Sequence, residues 1–154
     1  MIANWYTLAL LGGRARQLEP ATEQALVSWI MHRNGGIGYL GVALMPPSAR
    51  SDRWPADRWL ASHELLSAFV SWRDRASTVV SWLWRQRDKE GLWDFGPISG
   101  PPRSLPLSEN WRRAHRREHD WSTRVLSLLR EYARSSRRLA KQQRRGRRTG
   151  RFLE

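Results

Sequence analysis

Val79-Val80-Ser81-Trp82-Leu83-Trp84-Arg85-Gln86-Arg87-Asp88-Lys89-Glu90-Gly91-Leu92-Trp93-Asp94-Phe95-Gly96 is an aromatic-rich amphipathic run that passes through a polar turn into a glycine-flanked loop. The same shape occurs earlier, where Val27-Ser28-Trp29-Ile30-Met31-His32-Arg33 leads into Asn34-Gly35-Gly36-Ile37-Gly38-Tyr39-Leu40-Gly41. Val27-Ser28-Trp29 and Val80-Ser81-Trp82 are identical triplets 53 residues apart, and Gly36 and Gly41 match Gly91 and Gly96 at an offset of 55. A period near 50 that contains two helices indicates stacked helical hairpins.

Helical spacing continues on both sides. Trp5, Leu8 and Leu11 share a rough face that Gly12-Gly13 interrupts. Pro20 to Arg33 carries a first-turn proline, early acids at Glu19 and Glu23, and an Asn34-Gly35 stop. Gly35 to Pro55 is too long for an ordinary connection, which marks it as a functional or partner-covering segment. Trp59, Leu60, His63, Leu66, Phe69 and Val70 predict one helix from Ala56 or Asp57 to Trp72. Ser77 is placed to cap a helix from Thr78 to about Arg87. Pro97 to Leu107 reads as an extended loop, and Ser108-Glu109-Asn110-Trp111 as a short basic helical turn. Asp120 is placed to cap a last helix with Val125, Leu128, Leu129 and Tyr132 inside. No segment alternates like a strand, so the fold class is all-α: a helical-repeat domain over 1–136 and a basic tail over 137–154 that is expected to be frayed or disordered.

At the Gly-aromatic turns the chain resembles the terpene cyclase and protein prenyltransferase superfamily, the squalene cyclase-like α/α toroids. The second turn, Arg87 to Gly96, is similar to the Gln, Gly and Trp repeat motif of those proteins, with Lys89-Glu90 inserted; the first lacks the Gln and the Trp. The resemblance covers about Ala21 to Tyr132 and implies two to three hairpins from the C-terminal part of a toroid. The chain opens directly on apolar residues, which fits an upstream or partner chain that completes the ring. Family cyclases use an Asp-x-Asp-Asp acid and family prenyltransferases a zinc held by Asp, Cys and His. This chain has no such acidic run and no Cys. No catalytic residue, metal ligand or cofactor is therefore assigned, and whether the chain is an enzyme stays open.

What the resemblance leaves is a binding shell for an isoprenoid-like or protein ligand, with Trp29, Tyr39, Trp82, Trp84, Trp93, Asp94 and Phe95 as pocket candidates. Aromatic faces stabilise cations through their quadrupole, yet helical repeats also use tryptophan simply to fill hairpin interfaces. Asp88, Glu90 and Asp94 fit either an acid or metal cluster or a self-bonded turn. His115, His119 and Asp120 invite a metal, but Arg112, Arg113, Arg116 and Arg117 around them repel a dication.

Charge gives the alternative. The net charge is +13, of which residues 134–154 carry +8. Arg137, Arg138, Lys141, Arg144, Arg145, Arg147 and Arg148 could hold phosphates of nucleic acid or acidic lipid without sequence preference. All but two of the 27 basic residues are arginine, a bias that a GC-rich coding background also produces. A third reading is a protein-interaction scaffold. No run of about 18 apolar residues exists and the start lacks a basic leader, so a cytoplasmic protein without a transmembrane segment is expected.

Overall fold

The computed structural model describes residues 4–48, 54–97, 113 and 115–149, the last fifteen by backbone alone. Within these the chain is all-helical: α1 (Trp5–Gly12), a 3-10 turn (Ala15–Gln17), α2 (Pro20–His32), α3 (Ala56–Leu66), α4 (Val70–Arg75), α5 (Ser77–Arg85) and α6 (Arg116–Thr149). The segment 98–107 and the turn expected at Ser108–Trp111 lie outside the described residues. α3 and α4 are central: α1 and α6 pack on α3, while α2, α5 and α6 pack on α4.

The helix starts follow local chemistry where a side chain can reach. Asn4 accepts from the Thr7 amide at 2.8 Å and opens α1. Glu19 accepts from the Ala21 and Thr22 amides and opens α2 ahead of Pro20. Those bonds, Ala21 first, hold the Glu19 carboxyl below its ordinary pKa.

Tertiary contacts decide the rest. The single helix expected from Ala56 to Trp72 breaks at Ser67–Phe69, although no glycine or proline stands there. Phe69 is extended and 1% exposed, so burial of its ring holds the break. The new start at α4 is capped from 48 residues away. Glu23 of α2, itself 5% exposed, accepts from the Ser71 amide at 2.7 Å and the Ser71 hydroxyl at 2.8 Å. Truncating it orphans two buried donors, so Glu23→Ala is expected to cost about 1–3 kcal/mol in urea unfolding. Adding Ser71→Ala should then cost little more; simple additivity of the two would refute the cap.

Two other caps differ from their sequence expectation. Ser77 is the first residue of α5, and Ala76, without a side-chain bond, stands at the cap. Asp120 lies one turn inside α6 and is buried, because the helix already begins at Arg116. α6 also runs on to Thr149, past the fraying expected from about Ser136. Its apolar periodicity fades there, but Arg, Ala, Gln, Leu and Lys are all good helix formers.

The long connection after α2 covers the protein's own core. Ile37, Leu40, Val42 and Leu44 are buried, and the Leu44 carbonyl accepts from Trp59 Nε1 at 3.1 Å. His63 Nε2 donates to the same carbonyl at 3.0 Å, while Nδ1 accepts from Trp72 Nε1 at 3.2 Å. That bonding fixes the neutral tautomer, and complete burial pushes the His63 pKa down to about 4. Gly36 (φ +50°) makes the loop possible, since a Cβ there would meet the Val42 carbonyl oxygen at 2.0 Å. No side chain fits that approach.

Candidate functional site

The Gly91–Gly96 turn is built by its own aspartates and by α6. Asp88 Oδ1 accepts from the Glu90 and Leu92 amides, and Asp94 Oδ1 accepts from the Gly96 amide. Arg117 of α6 then grips Asp94 in a bidentate contact, Nε to Oδ1 at 2.8 Å and Nη2 to Oδ2 at 2.6 Å. Hydrogen bonding to Asp94 raises the Arg117 pKa above its ordinary value. Trp121 Nε1 donates to the Gly96 carbonyl at 3.0 Å, and Ser122 Oγ accepts from the Trp93 amide at 2.9 Å. The turn is a docking point for α6. Asp88 and Asp94 are occupied in holding it together.

The pocket candidates divide between the core and the surface. Trp93 is 1% exposed and sends its indole N–H to the Leu83 carbonyl at 2.7 Å. Trp82 is buried too, stacked on Phe95 with 6.1 Å between centroids. Trp54 and Trp59 close on Trp82 at 5.4 and 5.3 Å, and Trp121 meets Phe95 at 5.4 Å. Such tilted and edge-on contacts fill space. Trp29 and Trp84 lie instead on the surface, as does Tyr39. Tyr39 borders an open cleft of about 420 Å³ with Trp5, Tyr6 and Leu40, where the two tyrosine rings meet edge-on at 6.4 Å.

The histidine pair lies near the start of α6, within local contacts. His115 Nδ1 bonds Glu118 at 2.8 Å, and His119 is exposed. No group of three or more His, Asp or Glu suited to a metal ion occurs among the described residues.

Two polar features had no local signal. Arg124 of α6 bonds Glu64 with two nitrogens, at 2.9 and 2.8 Å, and Asp57 with a third at 2.6 Å. Burial lowers its pKa most among the single influences, but the two carboxylates together outweigh it and leave the guanidinium more basic than usual. These partners stand 60 and 67 residues away, beyond any periodicity. Arg117, which the sequence placed among four arginines around the histidines, is likewise committed to Asp94.

The remaining candidates are cations. Arg137, Arg138, Lys141, Arg144, Arg145, Arg147 and Arg148 all fall on the α6 backbone. Positions 137, 141, 144 and 148 are spaced four, three and four apart, so they line one side of the helix, over about 16 Å at 1.5 Å per residue. No helix among the described residues is long and apolar enough to cross a membrane.

Comparison with known proteins leaves this geometry to stand alone: no family model, curated protein or solved structure matches the chain. What the described residues define is an all-α protein with a tryptophan-rich core and a long basic helix.

Proposed function

We propose that the protein is a non-catalytic nucleic-acid-binding protein: a tryptophan-packed helical body that carries a basic helical arm. The observation behind this reading is α6. One continuous helix docks through Trp121, Val125, Leu128 and Leu129 and continues into the row of cationic positions 137, 141, 144 and 148. Cationic positions on a helical backbone meet successive phosphates without the entropy cost of ordering a coil backbone, and each contact releases condensed counterions. The body beneath it we read as stacked helical hairpins, similar to part of an α/α toroid. The paired glycines support that reading, since Gly36, Gly41, Gly91 and Gly96 all take positive φ. The matched tryptophans speak against strict equivalence, with Trp29 48% exposed and Trp82 7%. An isoprenoid pocket gains no support from candidates split between core and surface.

Deleting residues 134–154 tests the reading. Affinity for a 20-nucleotide RNA or 20-base-pair DNA, followed by fluorescence anisotropy, should fall at least about 100-fold at 100 mM salt. The slope of log Kd against log salt should flatten by several units. Equal affinity with and without the segment, or a slope near zero in the intact chain, rules out the arm.

A further inference from the structure

Of the nine tryptophans among the described residues, seven are accounted for by packing. Trp59, Trp72, Trp82, Trp93 and Trp121 are buried, Trp5 and Trp54 are half-buried against the core, and Trp111 lies outside the described residues. Trp29 and Trp84 remain, 48% and 42% exposed. They stand at corresponding places, in the last turns of α2 and α5, just before the two positive-φ glycine turns. Each carries an arginine at helical spacing. Arg33 lies 4.5 Å from the Trp29 ring centre, and Arg87 lies 4.5 Å from that of Trp84. Arg87 is held there by a bond from Nε to the Trp84 carbonyl at 3.0 Å.

We infer that Trp29–Arg33 and Trp84–Arg87 are two base-stacking platforms that make single-stranded nucleic acid the preferred ligand over duplex. The inference rests on the nucleic-acid reading above and narrows it. An exposed indole with a guanidinium on it is a flat apolar surface with a flat cation attached. An unpaired base stacks on such a surface whatever its sequence, and the adjoining phosphate meets positive charge. In a duplex the base faces are already stacked on each other, so these platforms add nothing there. The chain's net charge of +13 favours a polyanion over a neutral or cationic partner. The acids beside the second platform do not cancel it, since Asp88 is engaged by the Glu90 and Leu92 amides and Arg85, Arg87 and Lys89 outnumber Asp88 and Glu90.

The test uses the full chain with a 20-nucleotide oligo(dT) strand and a 20-base-pair duplex at one salt concentration. Each of Trp29→Ala and Trp84→Ala is expected to weaken oligo(dT) binding about tenfold. Duplex affinity and the salt slope should change less than twofold. Trp29→Phe and Trp84→Phe should recover part of the loss, which a purely structural role would not predict. Trp84 packs near the buried Trp93 at 5.9 Å. If Trp84→Ala fails to fold, Trp84→Phe and Trp29→Ala still decide the matter. Salt-dependent binding with unchanged oligo(dT) affinity, or equal losses for strand and duplex, overturns the stacking platforms alone. Absence of any nucleic-acid binding by the unaltered chain overturns the charge-based reading and the platforms with it.

Discussion

Arg124→Met is expected to destabilise the protein by about 3–5 kcal/mol, the largest single effect outside the aromatic core. The Arg124 side chain is 11% exposed and Asp57 4%, so the guanidinium and the Asp57 carboxylate meet largely out of water. Removing the cation takes Arg124 away from a buried carboxylate and breaks the three hydrogen bonds by which it ties α6 to α3. Arg124→Lys should recover little, since a single ammonium cannot bond both carboxylates in that fork geometry. Replacing the set together, as Asp57→Asn, Glu64→Gln and Arg124→Met, should cost less than the single change. The measurement is urea unfolding followed by circular dichroism. A loss below about 1 kcal/mol for Arg124→Met would show that α6 does not depend on this cluster.

Acidification should draw out a second large effect through His63. Its pKa is about 4 in the folded chain against 6.5 ordinarily, so the unfolded chain binds a proton that the folded chain refuses. Stability from this group is therefore complete above about pH 6.5 and is lost as pH falls toward 4. The shift corresponds to roughly 3 kcal/mol. Protonation would require Nδ1 to give up the Trp72 indole N–H, leaving a buried cation among aromatic rings. Other acids also titrate in this range, so the informative quantity is the difference between the intact chain and His63→Gln. That difference should slope with pH between 6.5 and 4. A flat difference would place the acid sensitivity elsewhere.

Both predictions concern residues whose importance was hidden in the chain. His63 was one apolar-face histidine among four, and Arg124 one arginine among 25. Their partners lie between 9 and 67 residues away. Elsewhere the local pattern was informative. The start of α2 was legible from Glu19 and Pro20, because both act within one turn, whereas Glu23 turned out to serve α4 from a distance. The all-helical class was legible for the same reason, since spacing by three and four needs no knowledge of neighbours. The aspartates of the second glycine turn also behave as turn residues do, bonding amides two and four positions on.

The candidate site was less legible. Trp29 and Trp82 occupy the same place in identical triplets, yet one is on the surface and the other in the core. What surrounds each helix sets that difference. α5 lies under Trp54, Trp59 and Phe95 at Trp82, and none of those contacts is encoded in the triplet. By itself the sequence determined the helical class, the glycine turns and the charge concentrated at the C-terminal end, all of which follow from residues a few positions apart. Only the tertiary structure decided where α3 gives way to α4, which tryptophans reach solvent and which arginines are already paired. Those outcomes depend on burial and on ion pairs between distant segments, which exist only once the chain has packed.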